Sequence, residues 1–186
     1  LMHIYLIEAG PRLLAGMSEE SSAHAEQFLR EMGVNILLNK RVVDYRDHKV
    51  VLEDGTEIAT RTFIWVSGVT GVTIGNLDAS LIGRGGRIKV DSFNRVEGMN
   101  NVFAIGDQCI QLADENYPNG HPQLAQVAIQ QGELLAKNLI RMEKGQEMKP
   151  FHYRNLGSMA TVGRNRAVAE FSKVKMQGWF AWVMGL

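Results

Sequence analysis

This sequence predicts an α/β fold built on parallel strand pairing, and three observations carry the prediction. Within the first forty residues an apolar strand, an amphipathic helix and a second apolar strand follow one another. A stretch with antiparallel turn signals comes next. A third apolar run, Thr62 to Val66, then ends at Ser67-Gly68. Parallel strands need a crossover of a dozen or more residues, and the first helix supplies one. The plan is a parallel unit interrupted by a β-meander and closed by a strand that ends in glycine.

His3 to Ile7 reads as a short strand ending at Glu8 and a Gly10-Pro11 turn. Ser18 can cap the following helix, with Glu19 and Glu20 at the positive end of its dipole. Ala25, Phe28, Leu29 and Met32 recur at helical spacing, and Gly33 suits the left-handed position past the last turn. Val34 to Leu38 returns as a strand. Turn signals at Asp47-His48 and Asp54-Gly55 then predict a small antiparallel meander. Residues 69 to 100 hold many glycines, including GRGGR at Gly83 to Arg87, and read as a crossing between domains. Ile88 to Asp91 is a short strand within it. NVFAIGD, Asn101 to Asp107, reads as a strand buried on both faces. A helix is predicted from near Pro122 to about Arg141, with Leu124, Val127, Ala128, Leu134, Leu135 and Leu139 as its apolar stripe. The tail predicts a hairpin, Met159 to Val162 against Ala167 to Phe171, and an apolar segment from Gly178.

Composition narrows the function. The 186 residues are 45% hydrophobic and 22% charged, enough for one good core or two small ones. Lys plus Arg equals Asp plus Glu at 20 each, so bulk charge gives no case for nucleic acid. No apolar run approaches the roughly 18 residues that span a bilayer. A single cysteine, Cys109, excludes an internal disulfide, a CxxC pair or a zinc cluster and fits a reduced, cytoplasmic setting. Five histidines show no ligand spacing, so no metal is expected. The chain starts directly as a strand and stops within GWFAWVMGL, which leads to the expectation of a part excised from a longer chain.

Three features could carry chemistry. An acid at a strand end, Glu8, can accept hydrogen bonds from the adenosine ribose of NAD and repel the 2′-phosphate of NADP. It reads equally as a surface acid beside a turn, and Arg12 nearby could pair with that phosphate. At the end of NVFAIGD, Gly106 would let a phosphate or sugar approach the backbone, and Asp107 could receive two hydroxyls of a polyol such as the ribitol of FAD. A plain Gly-Asp turn is the other reading. Gln123, Gln126 and Gln130 share one face of the predicted helix. Its positive end, under a flavin, would stabilise charge built up on reduction, whereas a solvated glutamine face needs no ligand.

The segments IYLIEAGPRLL, TFIWVSGV, GRIKVDSFNRVEGMNNVFAIGD, QLAQVAIQQGELLAKNL and FHYRNLGSMATVGRNRAVAEF occur in this order. Together they resemble the C-terminal half of type II NADH dehydrogenases, the single-subunit NADH:quinone oxidoreductases of the two-dinucleotide-domain flavoprotein superfamily. The resemblance implies a partial Rossmann-like NADH-binding domain with its meander over residues 1–70, lacking its first strand and Gly-rich loop. A crossover over 71–100 and the C-terminal part of an FAD-binding domain over 101–186 follow. It implies that Glu8 holds the NADH ribose, that Gly68 lies where the two dinucleotides approach, and that Gly106 and Asp107 hold FAD. Ala125 and Val127 would border the flavin ring, and Gln126 and Gln130 would line the quinone pocket. His121 could donate a proton to quinone or be an ordinary surface loop histidine. Residues from Gly178, with Trp179, Phe180 and Trp182, resemble the start of a membrane-surface region. The implied setting is therefore peripheral, on the cytoplasmic face of the cell membrane, without proton pumping.

No Gly-rich βαβ turn occurs in the sequence, so the expectation is that the chain alone binds FAD poorly and does not turn over. Unpaired sheet edges would allow two copies to pair, making a homodimer a further expectation. Two other readings stay open. One is a disulfide or sulfide:quinone reductase of the same superfamily, and the other is a non-catalytic binding module.

Overall fold

The computed structural model describes residues 3–72, 74–171 and 174–183. In chain order its strands and helices are β1 (Ile4–Ile7), α1 (Glu19–Glu31), β2 (Val34–Leu37), β3 (Val42–Arg46), β4 (Lys49–Leu52), β5 (Glu57–Ala59), β6 (Ile88–Val90), β7 (Cys109–Gln111), α2 (Ala125–Glu143), β8 (Ser158–Thr161), β9 (Ala167–Phe171), β10 (Val174–Gln177) and α3 (Gly178–Val183). The chain divides into two compact units. One holds the residues up to Trp65 and those from Leu156 onward, and the other holds Val66–Asn155.

In the first unit β1 and β2 pair in parallel, Ile4 opposite Val34 through Ile7 opposite Leu37, with α1 as the crossover. Ser18 caps α1 by accepting from the Ser21 N–H, and Gly33 takes the left-handed conformation just past the C-cap. Strands β3, β4 and β5 form the antiparallel meander. Asp47 and His48 both have positive φ, which makes the β3–β4 connection a tight two-residue hairpin turn. The C-terminal hairpin packs in this unit too. Val162 and Val168 form a core with Ala25 of α1, backed by Phe28 and Leu29. Ala181 of α3 closes on Ala167 and Ala169, with Trp182 against them.

Glu170 of β9 ties the hairpin to the start of α1. Its carboxylate accepts from the Ser18 N–H at 2.9 Å and the Ser21 hydroxyl at 2.6 Å. The Ser18 and Ser21 side chains, with the Ser18 N–H, hold the Glu170 carboxyl below the usual glutamate range. The ionised form is therefore favoured by folding. Its contribution is complete above the ordinary value of about 4.3 and is lost as pH falls through the lower folded value. Glu170→Gln should cost about 1–2 kcal/mol at pH 7, a difference that narrows in acid. Denaturant titrations at pH 7 and pH 3 measure both.

Thr62 to Val66 is not the predicted strand. No ladder partner pairs with it among the described residues, and Ile64, Trp65 and Val66 are 74%, 60% and 87% exposed. An apolar run states a need for burial, but a strand forms only where a neighbouring edge takes its backbone hydrogen bonds. Phe63 instead stacks on Tyr45, with ring centroids 4.8 Å apart.

In the second unit β6 pairs in parallel with β7, Ile88 opposite Cys109 through Val90 opposite Gln111. Ile88, Val90, Val96, Ala104 and Cys109 form its core. The predicted strand Asn101 to Asp107 is replaced by a single bridge between Phe103 and Arg95 and a 3-10 turn over Gly106–Gln108. With φ at +64°, Gly106 breaks the extended backbone, so the strand begins only at Cys109. Within residues 69 to 100, Gly71 and Gly86 lie so close that a Cβ on Gly71 would sit 2.3 Å from the Gly86 carbonyl oxygen.

Helix α2 starts at Ala125, three residues after Pro122, because Leu124 is still extended. Its fully buried residues are Val127, Gln131 and Asn138, whereas Leu124 and Leu139 of the predicted stripe are exposed. Gln131 and Asn138 fall four and eleven residues past Val127, so they share its face. Both ends of the Asn138 amide bond the Lys149 backbone at 2.8 Å. This holds the returning segment against the helix.

Candidate functional site

The turn at Gly106–Asp107 lies against the first turns of α2. The Gly106 N–H donates to Gln131 Oε1 at 2.7 Å, and a Cβ on Gly106 would sit 3.3 Å from the Cβ of Ala128. Positive φ and this close approach both require glycine here. Gln123 Nε2 donates to the Asp107 carbonyl at 3.1 Å. The Asp107 carboxylate is exposed and has no hydrogen-bond partner among the described residues. Gln108 fixes the far side of the turn by bonding the Val72 backbone in both directions, at 2.8 and 2.6 Å.

The N-cap of α2 is Leu124, which makes no side-chain cap. Helix starts prefer Ser, Thr, Asn or Asp there, because the first N–H groups need acceptors. Here a positive helix end stands uncapped beside a glycine turn and an exposed carboxylate. That combination suits a ligand with a polyol arm and an anionic head.

The remaining predicted residues are placed as follows. Ala125 is the exposed first residue of α2, and Val127 is buried in the protein's own core. Gln126 lies between them, partly buried. Gln130 is engaged with backbone: its Nε2 donates to the Arg154 carbonyl at 2.9 Å, and its Oε1 accepts from the Arg154 N–H at 3.0 Å. Gly68 is exposed, with φ +76° and no atom within 4 Å of where a Cβ would be. Glu8 belongs to the first unit, where Oε1 accepts from the Gly10 N–H at 2.7 Å. In the second unit the turn at Gly106 and Asp107 is thus brought together with Gln123 and Gln131, while Gln130 is held at Arg154.

Two residues depart from their sequence reading. Arg12 turns its guanidinium onto backbone carbonyls, those of Met17 and Ala15 at 2.8 Å each, and so is not held out for a 2′-phosphate. His121 is buried, at 1% exposure, and not a surface loop histidine. Cys109 is a buried packing residue. It sits beside Gln131 and Asn94, and burial pushes the thiol up, away from its reactive form. Sequence reasoning missed Gln131 and Arg87. The signal for Gln131 was its place four residues past Val127. Arg87 is buried with its Nε on the Cys109 carbonyl at 2.6 Å, and nothing in GRGGR marks it. Among the described residues no group of His, Cys, Asp or Glu could hold a metal ion.

Residues 2–132 match the pyridine nucleotide-disulphide oxidoreductase family model, and the chain belongs to that family. Within it the chain is 34% identical to the type II NADH:quinone oxidoreductase NdhA of Mycobacterium tuberculosis, over 98% of this chain and 40% of that protein. It is 33% identical to an internal alternative NAD(P)H-ubiquinone oxidoreductase of Arabidopsis thaliana mitochondria, over 97% of this chain and 38% of that protein. The chain therefore spans about two fifths of the length of these relatives. The fold matches NDH2 of Plasmodium falciparum, solved in complex with NADH, with a TM-score of 0.84 at 18% identity, over 99% of this chain and 54% of that one.

Proposed function

We propose that this chain supplies the C-terminal half-sites of an FAD-dependent enzyme that passes electrons from NADH to a quinone. The observation that carries the reading is the Gly106–Asp107 turn set against the uncapped start of α2. FAD, when bound, takes a hydride from NADH and passes two electrons to the acceptor. Asp107 would accept hydrogen bonds from the ribitol hydroxyls, and Gly106 would give the backbone room for them. Ala125 and Val127 would seat the start of α2 near the ring, where a positive helix end favours negative charge. Gln126 and Gln130 line the acceptor side, Gln130 by fixing the backbone at Arg154. Gly68 marks where the dinucleotides approach. Glu8 receives the adenosine ribose, and with Arg12 engaged elsewhere NADH is preferred over NADPH.

In this reading residues 1–70 serve NADH, 101–186 serve FAD and 71–100 cross between them. With no G-x-G-x-x-G in its 186 residues, the chain alone holds flavin weakly and does not turn over. Among the described residues no helix is long and apolar enough to cross a membrane. Trp179 and Phe180 of α3 are 56% and 69% exposed and suit the cytoplasmic membrane surface.

The test is acceptor choice. The full-length enzyme that contains this chain should oxidise NADH with a short-chain quinone and leave a disulfide untouched. The single cysteine favours quinone, since this chain offers no dithiol pair. Comparable turnover with a disulfide would move the protein to the reductase branch of the family, and no turnover with either would leave a binding module.

A further inference from the structure

The Gly106–Asp107 turn is gripped at both of its ends. The N–H that enters it, on Gly106, donates to Gln131 Oε1 at 2.7 Å, and the carbonyl that leaves it, on Asp107, accepts from Gln123 Nε2 at 3.1 Å. Between these two bonds the Cβ position of Gly106 comes to 3.3 Å from the Ala128 Cβ. The Asp107 carboxylate is left exposed.

The two grips differ in strength. The Gln123 bond faces solvent, where water competes for both partners. Gln131 is 1% exposed, so its amide lies in the interior, where a hydrogen bond is stronger and a lost partner costs more.

Chemistry fixes which way the Gln131 amide points. The Gly106 N–H can only donate, so it takes the oxygen. The nitrogen is turned to the Cys109 sulfur at 3.6 Å, and Asn94 Nδ2 lies 3.8 Å from the same sulfur. A glutamine fits this place because it supplies an acceptor without bringing a charge into the interior. Its task differs from that of Gln130 beside it, which holds the Arg154 backbone.

We infer that Gln131 is a positioning residue for the flavin site: by holding the Gly106 amide it sets where the Asp107 carboxylate stands relative to the start of α2. This rests on the flavin reading above. Gln131 acts through Gly106 and does not touch the flavin. The backbone at Gly106 is left-handed, with φ +64°, and glycine alone readily takes other conformations. With the Gln131 acceptor in place the turn is set before the flavin arrives, so binding does not have to order it.

Three substitutions in the full-length enzyme that contains this chain test the assignment. Gln131→Met keeps the length and bulk but removes the acceptor, and it should weaken flavin binding about tenfold. Gln131→Glu keeps an acceptor in either protonation state and should stay within about threefold. Asn138→Ala, on the same face of α2, breaks bonds to Lys149 and none to the turn, so flavin affinity should stay within about twofold while the melting temperature falls. Equal loss in Gln131→Met and Gln131→Glu, comparable loss in Asn138→Ala, or unchanged affinity in Gln131→Met overturns the assignment. If Asp107→Ala loses its flavin in the same assay, the proposed function stands without it. If Asp107→Ala also keeps its flavin, both fall. Hydrogen exchange needs no variant and decides the matter should Gln131→Met fail to fold. In the flavin-free enzyme the Gly106 amide should exchange about 100-fold more slowly than that of Gly98, an exposed turn glycine. Equally fast exchange at the two glycines overturns the assignment.

Discussion

In the full-length enzyme that contains this chain, Asp107→Ala is expected to leave the fold unchanged and to strip the flavin. The carboxylate is exposed and bonds nothing among the described residues, so the fold loses no partner with it. Its carbonyl, which Gln123 holds, survives the substitution. Two hydroxyl bonds to a charged acceptor contribute about 1.5–3 kcal/mol each. Losing both weakens flavin binding by about 3–6 kcal/mol, a hundredfold or more in dissociation constant. Flavin absorbance after dialysis, beside a melting curve, separates the two effects. A variant that keeps stoichiometric flavin would remove Asp107 from the site. One that melts early would make it a structural residue.

Asn138→Ala should be the most destabilising polar substitution in the second unit. The side chain is fully buried, and its amide satisfies both the N–H and the C=O of Lys149. Alanine leaves both groups unpaired beside a small void, at about 1–3 kcal/mol each. The expected loss is about 2–4 kcal/mol, or a drop in Tm of about 10 °C or more for a unit of this size. Asn138→Asp retains only the acceptor and should fall between. Calorimetry reads the loss, and limited proteolysis between Lys144 and Lys149 reads the freed segment. A change below about 0.5 kcal/mol would show that water replaces both bonds.

Much of the first unit was legible because its signals are local. Ser18, Glu19, Glu20 and Gly33 mark the two ends of α1 through capping chemistry that needs no knowledge of the rest of the chain. The hairpin turn at Asp47-His48 is a local signal too. Legibility failed where the outcome depends on a distant partner. TFIWV reads as a buried strand, yet its burial needs a neighbouring edge that residues 62–66 do not name. NVFAIGD reads the same way, and one left-handed glycine moves the strand past it. Polar residues were misread for a related reason. Gln131, Asn138, Arg87 and His121 are among the most buried side chains in the second unit, because each has a fixed partner for its polar atoms or a structural place that composition does not show. Within the candidate site, Gly106 and Asp107 were readable as a pair. That Gln130 binds backbone at Arg154 was not, since its partner lies 24 residues on.

Cys109 has one practical consequence. As the chain's single thiol, 1% exposed and pushed away from its thiolate, it offers a maleimide almost nothing to attack. A cysteine introduced on an exposed position becomes the sole address for a dye or spin label, with no native residue to remove first.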